Sequence, residues 1–105
     1  MNLNESNFQK EVIDANVPVL IDLWAPWCGP CNAMSPIMDE LESEFKDRAK
    51  IAKINVDEQS ELASRHGISA IPAFILYKNG AIKKMLVGIQ TLSNLRKQIE
   101  DVIND

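Results

Sequence analysis

Apolar residues along this chain alternate between short unbroken runs and longer segments that repeat every three or four positions. The run Val19-Leu20-Ile21, resumed at Leu23 and Trp24, is too short and too evenly apolar for a half-exposed strand. It predicts a central parallel strand covered on both faces. From Cys31 to about Lys46, the residues Met34, Ile37, Met38, Leu41 and Phe45 mark one face of a helix. Pro36 inside it should produce a kink, because its ring removes a backbone donor. Ile51 to Val56 reads as a second strand, interrupted by Lys53 and Asn55. A brief helix over Glu58 to His66 comes next, stopped by Gly67, with His66 as a helix-end residue favourable to the dipole.

Further along, Ala73 to Tyr77 and Ala81 to Val87 flank Lys78-Asn79-Gly80, and Asn-Gly supplies the positive φ angles of a tight hairpin, so these strands should be antiparallel. Thr91 can cap a last helix whose inward stripe is Leu92, Leu95, Ile99, Val102 and Ile103. At the other end, Ser6 with Gln9 suggests a capping box for a short helix over Asn7 to Asp14. No linker, repeat or low-complexity tract divides the chain, which reads as one α/β domain over residues 1–105 containing a βαβ unit.

Composition narrows the function classes. Apolar residues make up 46% and charged residues 25%, and no stretch approaches the ~20 apolar residues of a membrane span, so a membrane partner is not expected. The net charge of −4, with both signs interspersed, leaves no electrostatic footprint for nucleic acid. The first twenty residues carry Glu5, Glu11 and Asp14 in place of a basic region and an apolar core, so nothing there directs export. Only two cysteines are present, both in one motif, so no disulfide framework is being built. A reducing, cytoplasmic setting is the simplest expectation.

Those cysteines lie in Trp27-Cys28-Gly29-Pro30-Cys31, where a predicted strand hands over to a helix N-terminus. Unpaired N–H groups and the positive end of the helix dipole favour negative charge there, making Cys28 a candidate nucleophile and Cys31 its resolving partner. A zinc site fails on ligand count, since His66 is the only further soft ligand, and no metal is expected. An inert buried pair has no need of a flanking Trp or a Gly-Pro spacer, so the redox dithiol is the stronger reading. Asp22 is the second candidate: in the middle of a central strand its carboxyl would be buried and its pKa raised, which suits proton exchange near neutral pH. The alternative is an edge strand with Asp22 facing water. Lys53 could be its charge partner from the neighbouring strand, although spacing alone favours a solvated lysine. Pro72 before Ala73 cannot donate to a sheet ladder, and the sequence leaves its isomer open.

Taken together, Trp24-Ala25-Pro26-Trp27-Cys28-Gly29-Pro30-Cys31, Pro36, Ile71-Pro72, Lys78-Asn79-Gly80 and Val87-Gly88 resemble the thioredoxin family over nearly the whole chain. Thioredoxins are themselves the usual example of a lowered thiol pKa in a Cys-x-x-Cys pair. The resemblance implies a thioredoxin fold, a central mixed sheet of four to five strands flanked by helices on both faces. By the same resemblance, Cys28 and Cys31 form the redox-active disulfide. Asp22 matches the buried proton-transfer carboxylate, Lys53 the lysine near it, and Pro72 a cis-proline facing the dithiol. With the Gly29-Pro30 spacer, Trp27, Ile71, Ala73 and Gly88 match the apolar rim that receives an extended client segment by strand addition. Two departures stand out. Asn32 replaces the lysine common after the second cysteine, removing an exposed charge worth about 0.3–1 kcal/mol. The segment before Ser6 is short, so the family's first strand should be reduced to Met1–Leu3 or missing.

The implied activity is reduction of disulfides in client proteins, with a thioredoxin reductase restoring the dithiol through its own flavin. This chain would then act as a monomer with no bound cofactor. A disulfide oxidant or isomerase is the alternative within the same chemistry, but such relatives usually place a histidine between the cysteines where this chain has Gly29-Pro30. A different class of role is a binding module that docks through the apolar rim irrespective of its thiols.

Overall fold

The structure, a computed structural model, describes residues 1–105. Its strands are β1 Val19–Trp24, β2 Lys50–Asn55, β3 Ala73–Lys78 and β4 Ala81–Val87. The helices are α1 Gly29–Ala33, α2 Ser35–Phe45, α3 Ser60–Arg65 and α4 Leu92–Ile103. One sheet runs in the order β2-β1-β3-β4. β1 is parallel to β2 and antiparallel to β3, so the expected central strand has one parallel and one antiparallel neighbour.

Side chains alternate across β1. Val19, Ile21 and Leu23 enter a core with Leu62, Ala63, Ala73 and Ile75, covered by α3 and the N-terminal segment. Leu20 joins Met34, Met38, Phe45, Phe74, Leu95 and Ile99 beneath α2 and α4 on the opposite face. Both faces of β1 are thus sealed, and burying each large apolar side chain contributes about 1.5–3 kcal/mol. The same alternation sends Asp22 into the second layer.

The local devices hold in most places. Asn79 and Gly80 both have positive φ, 53° and 77°, as the two-residue hairpin requires. A Cβ at Gly80 would also come within 3.2 Å of the Ile13 carbonyl oxygen. Thr91 caps α4, its hydroxyl accepting the Asn94 N–H at 3.0 Å. Near the amino end, the expected first strand is reduced to a single parallel bridge between Asn2 and Lys53.

Two expectations need correction. The helix over Asn7 to Asp14 shrinks to a wide turn at Gln9–Ile13, and Asn4 rather than Ser6 serves its start. The Asn4 carboxamide oxygen accepts the N–H groups of Ser6 at 2.9 Å and Asn7 at 3.0 Å, while Gln9 reaches forward to Asp14 instead of back to a cap. The helix expected from Cys31 to Lys46 is two helices divided at Met34. A proline ring clashes with the carbonyl four residues back, so the chain breaks before Ser35, and Pro36 then falls in the first turn of α2, where a missing donor costs nothing. The break turns α1 into a short separate platform for the two cysteines.

Candidate active site

The loop from Ala25 to Cys28 leaves β1 and delivers Cys28 to the N-cap of α1 with extended backbone, φ −87° and ψ 105°. Gly29 and Pro30 fill the first two helical positions, where proline's fixed φ is already helical. Cys28 Sγ accepts the Cys31 N–H at 3.2 Å, the place a serine or aspartate oxygen takes in other helices. Cys28 and Cys31 are joined in a disulfide with their Cα atoms 5.2 Å apart. Both sulfurs lie among Ala25, Trp24, Val56 and Ile71, and the two residues retain only 5% and 2% of their exposure. Residue 32 fastens the loop from the helix side: its main-chain N–H meets the Cys28 carbonyl at 3.1 Å, and the Asn32 amide meets that of Pro26 at 3.1 Å. Asn32 thus brings a hydrogen bond where the family commonly has a charge.

Trp27 stands 70% exposed beside the dithiol, with its indole N–H held by Asp57 Oδ2 at 2.9 Å. Asp57 in turn sits in a turn organised by Asn55, whose side-chain oxygen accepts the N–H groups of Asp57 and Glu58. The Ile71–Pro72 peptide bond is cis. Ile71 packs against the cysteine cluster, and the buried Pro72 offers its carbonyl to the Gly88 N–H at 2.8 Å. Gly88 has φ +93°, which favours glycine. Between Trp27 and Ile71 lies an apolar hollow of about 190 Å³, walled also by Val56, Ala63, Ile68 and Ala70. Of the expected rim residues, Trp27, Gly29, Pro30, Ile71 and Gly88 reach the surface. Ala73 is fully buried between Leu23 and Val87 and presents no side chain to it.

Asp22 is 2% exposed, which excludes the edge-strand alternative. Desolvation raises its carboxyl pKa to about 6, partly opposed by the Lys53 charge. Lys53 is the register partner of Asp22 on β2 and is half-buried, with its ammonium 5.6 Å above the Trp24 ring. The solvated lysine favoured by spacing alone is therefore replaced by one packed on an aromatic face. The two side chains make no direct ion pair, and one Asp22 oxygen has no protein hydrogen-bond partner. No group of three or more His, Cys, Asp or Glu side chains is arranged to hold a metal ion.

The thioredoxin family model matches residues 1–101. The chain belongs to the thioredoxin family. It is 44% identical to the thioredoxin of Alicyclobacillus acidocaldarius over 103 residues, covering 98% of this chain and 97% of that one. Against the thioredoxin of Rickettsia felis the identity is 44% over 94 residues, 90% of each chain. With Thioredoxin 1 of a Nostoc species it is 40% over 98 residues, 93% of this chain and 92% of the relative. With the disulfide at the head of α1, membership makes the chain a thiol-disulfide oxidoreductase, a protein-disulfide reductase. No helix is long and apolar enough to cross a membrane.

Asp57 and Asn55 escape a reading of the sequence. The only signal is Asn55 two residues before Asp57, the spacing at which an Asx side chain organises a turn.

Proposed function

We propose that the chain, as a cytoplasmic monomer, reduces disulfides in client proteins through Cys28 and Cys31 and is recharged by a thioredoxin reductase. The observation that carries the division of labour is the Cys28 sulfur at the N-cap of α1, accepting the Cys31 N–H. An N–H aimed at that sulfur stabilises an anion there and not on Cys31. The Cys28 thiolate attacks one sulfur of the client disulfide, forming the mixed disulfide and expelling the other client sulfur as a thiolate. Cys31 then loses its proton and attacks Cys28, closing the internal disulfide and releasing the second client thiolate. Two electrons have passed to the client, and the reductase returns two to the chain.

Asp22 takes the Cys31 proton in this scheme, directly or through a water, and Lys53 tempers its field. A pKa of about 6 supports that role, because the carboxylate is present at neutral pH yet still binds a proton readily. The client lies in extended form across Trp27, the Gly29-Pro30 spacer, Ile71, Pro72 and Gly88, with an apolar side chain in the hollow between Trp27 and Ile71. The confinement of both cysteines to one motif supports a reducing compartment.

Cys31→Ser tests the assignment. Lacking the resolving thiol, this variant should accumulate mixed disulfides with client proteins that only an added reductant releases, all of them mapped to Cys28. Trapping by Cys28→Ser and not by Cys31→Ser would reverse the two roles, and equal trapping by both would abolish the distinction between them.

A further inference from the structure

His66, the C-cap of α3, is tied on both ring nitrogens. Nδ1 lies 2.8 Å from the Leu62 carbonyl, which can only accept, so Nδ1 carries the hydrogen and donates. That leaves Nε2 as the acceptor for the Tyr77 hydroxyl, 2.7 Å away in β3. Phe8 packs edge-on to both rings, at 5.4 Å from His66 and 5.8 Å from Tyr77, and closes the group from the N-terminal segment.

The segment after His66 gives the bond its meaning. Gly67 turns the chain with φ +71°, its N–H held by Ser64, and Ile68 to Ile71 then form one wall of the apolar hollow beside the dithiol. None of these four residues makes a hydrogen bond within the protein, so their main-chain groups are free to pair with an extended partner. The wall is located by its ends and by the packing of Ile68 and Ile71. Its far end, Pro72, leads straight into β3 and is bonded to Gly88. Its near end is tied to that same strand through Tyr77. Both ends of the wall are thus rooted in β3, one through the main chain and one through the His66 side chain.

We infer that His66 is a positioning residue for client binding, holding the Gly67–Ile71 wall at the distance from Trp27 that an extended client needs. This rests on the proposed function, in which the hollow faces the client. Tyr77→Phe deletes one oxygen of the tie, and His66→Phe deletes both hydrogen bonds while keeping an aromatic ring against Phe8. With insulin as client, each variant should raise KM about three- to fivefold at unchanged kcat, the scale of one lost hydrogen bond. The rate with dithiobis(nitrobenzoate), a disulfide small enough to reach Cys28 without the wall, should not change. The double variant should be no worse than His66→Phe. A purely structural role would lower the melting temperature and leave this substrate split absent.

Ala70→Glu, which puts a charge on the wall itself, separates the two ways of failing. If it raises the insulin KM while Tyr77→Phe and His66→Phe do not, the tie is refuted and the client surface stands. If all three leave KM unchanged, the hollow is not the client site and the inference falls with it. Equal slowing towards insulin and the small disulfide would also overturn it, because the damage would then lie at the dithiol.

Discussion

Cys28→Ser should reduce insulin reduction to the uncatalysed background, a loss of roughly a thousandfold or more, while the fold survives. The Cys28 sulfur attacks the client disulfide and is then attacked in turn by Cys31, and a hydroxyl can do neither. A serine oxygen at the N-cap keeps the capping bond to the Cys31 N–H and so preserves α1, but it cannot form the mixed disulfide. Structure and chemistry separate cleanly in this variant. Clients that remain bound to it under non-reducing conditions would favour the binding-module role, since such a role does not use the thiol. Loss of turnover with loss of stable client capture is the result expected of a reductase.

Asp22→Asn should slow resolution of the mixed disulfide by about a hundredfold near neutral pH, read by rapid mixing of the trapped intermediate, because the asparagine cannot accept the Cys31 proton. The same change should stabilise the fold. The Asp22 carboxyl titrates at about 6 in the folded chain against an ordinary value of 3.8, so the folded state holds a proton that the unfolded state has already released. Stability therefore falls as pH rises from about 4 to about 6, and the penalty is fully present above that window. Two pKa units correspond to about 3 kcal/mol. Urea unfolding at a series of pH values should show Asp22→Asn and the parent nearly equal at the acid end and separated by about that amount at pH 7. A gap that is constant with pH would mean that the carboxyl is not the source.

The residues that reveal the fold in the sequence are those whose information is local. Val19 to Trp24 announces a sealed strand because every position but one is apolar, and Asn79-Gly80 announces the hairpin because few residues tolerate two successive positive φ angles. The Ser6-Gln9 spacing points to a cap at Ser6, whereas the Asn4 carboxamide takes the Ser6 and Asn7 N–H groups in a segment whose Leu3 N–H is bonded to the distant Lys53 carbonyl. At Met34 the helical period runs on through a break that only the proline ring imposes.

The site divides in the same way. Cys28 and Cys31 are visible because they are close in sequence, and Asp22 because a charge stands out in an apolar strand. Asp57 bonds Trp27 across thirty positions, and Tyr77 bonds His66 from another element, so neither pairing leaves a trace in periodicity. Resemblance places Ala73 on the rim, whereas the alternation along β3 turns its methyl into the core.

Reductase activity depends on the state of one sulfur, and the rate of iodoacetamide alkylation of the reduced chain as a function of pH reads it directly. Cys28 should react with a midpoint well below the value of about 8.5 for a free cysteine, with Cys31 unreactive over the same range. A midpoint at or above the free value would contradict the assignment of Cys28 as the attacking thiolate.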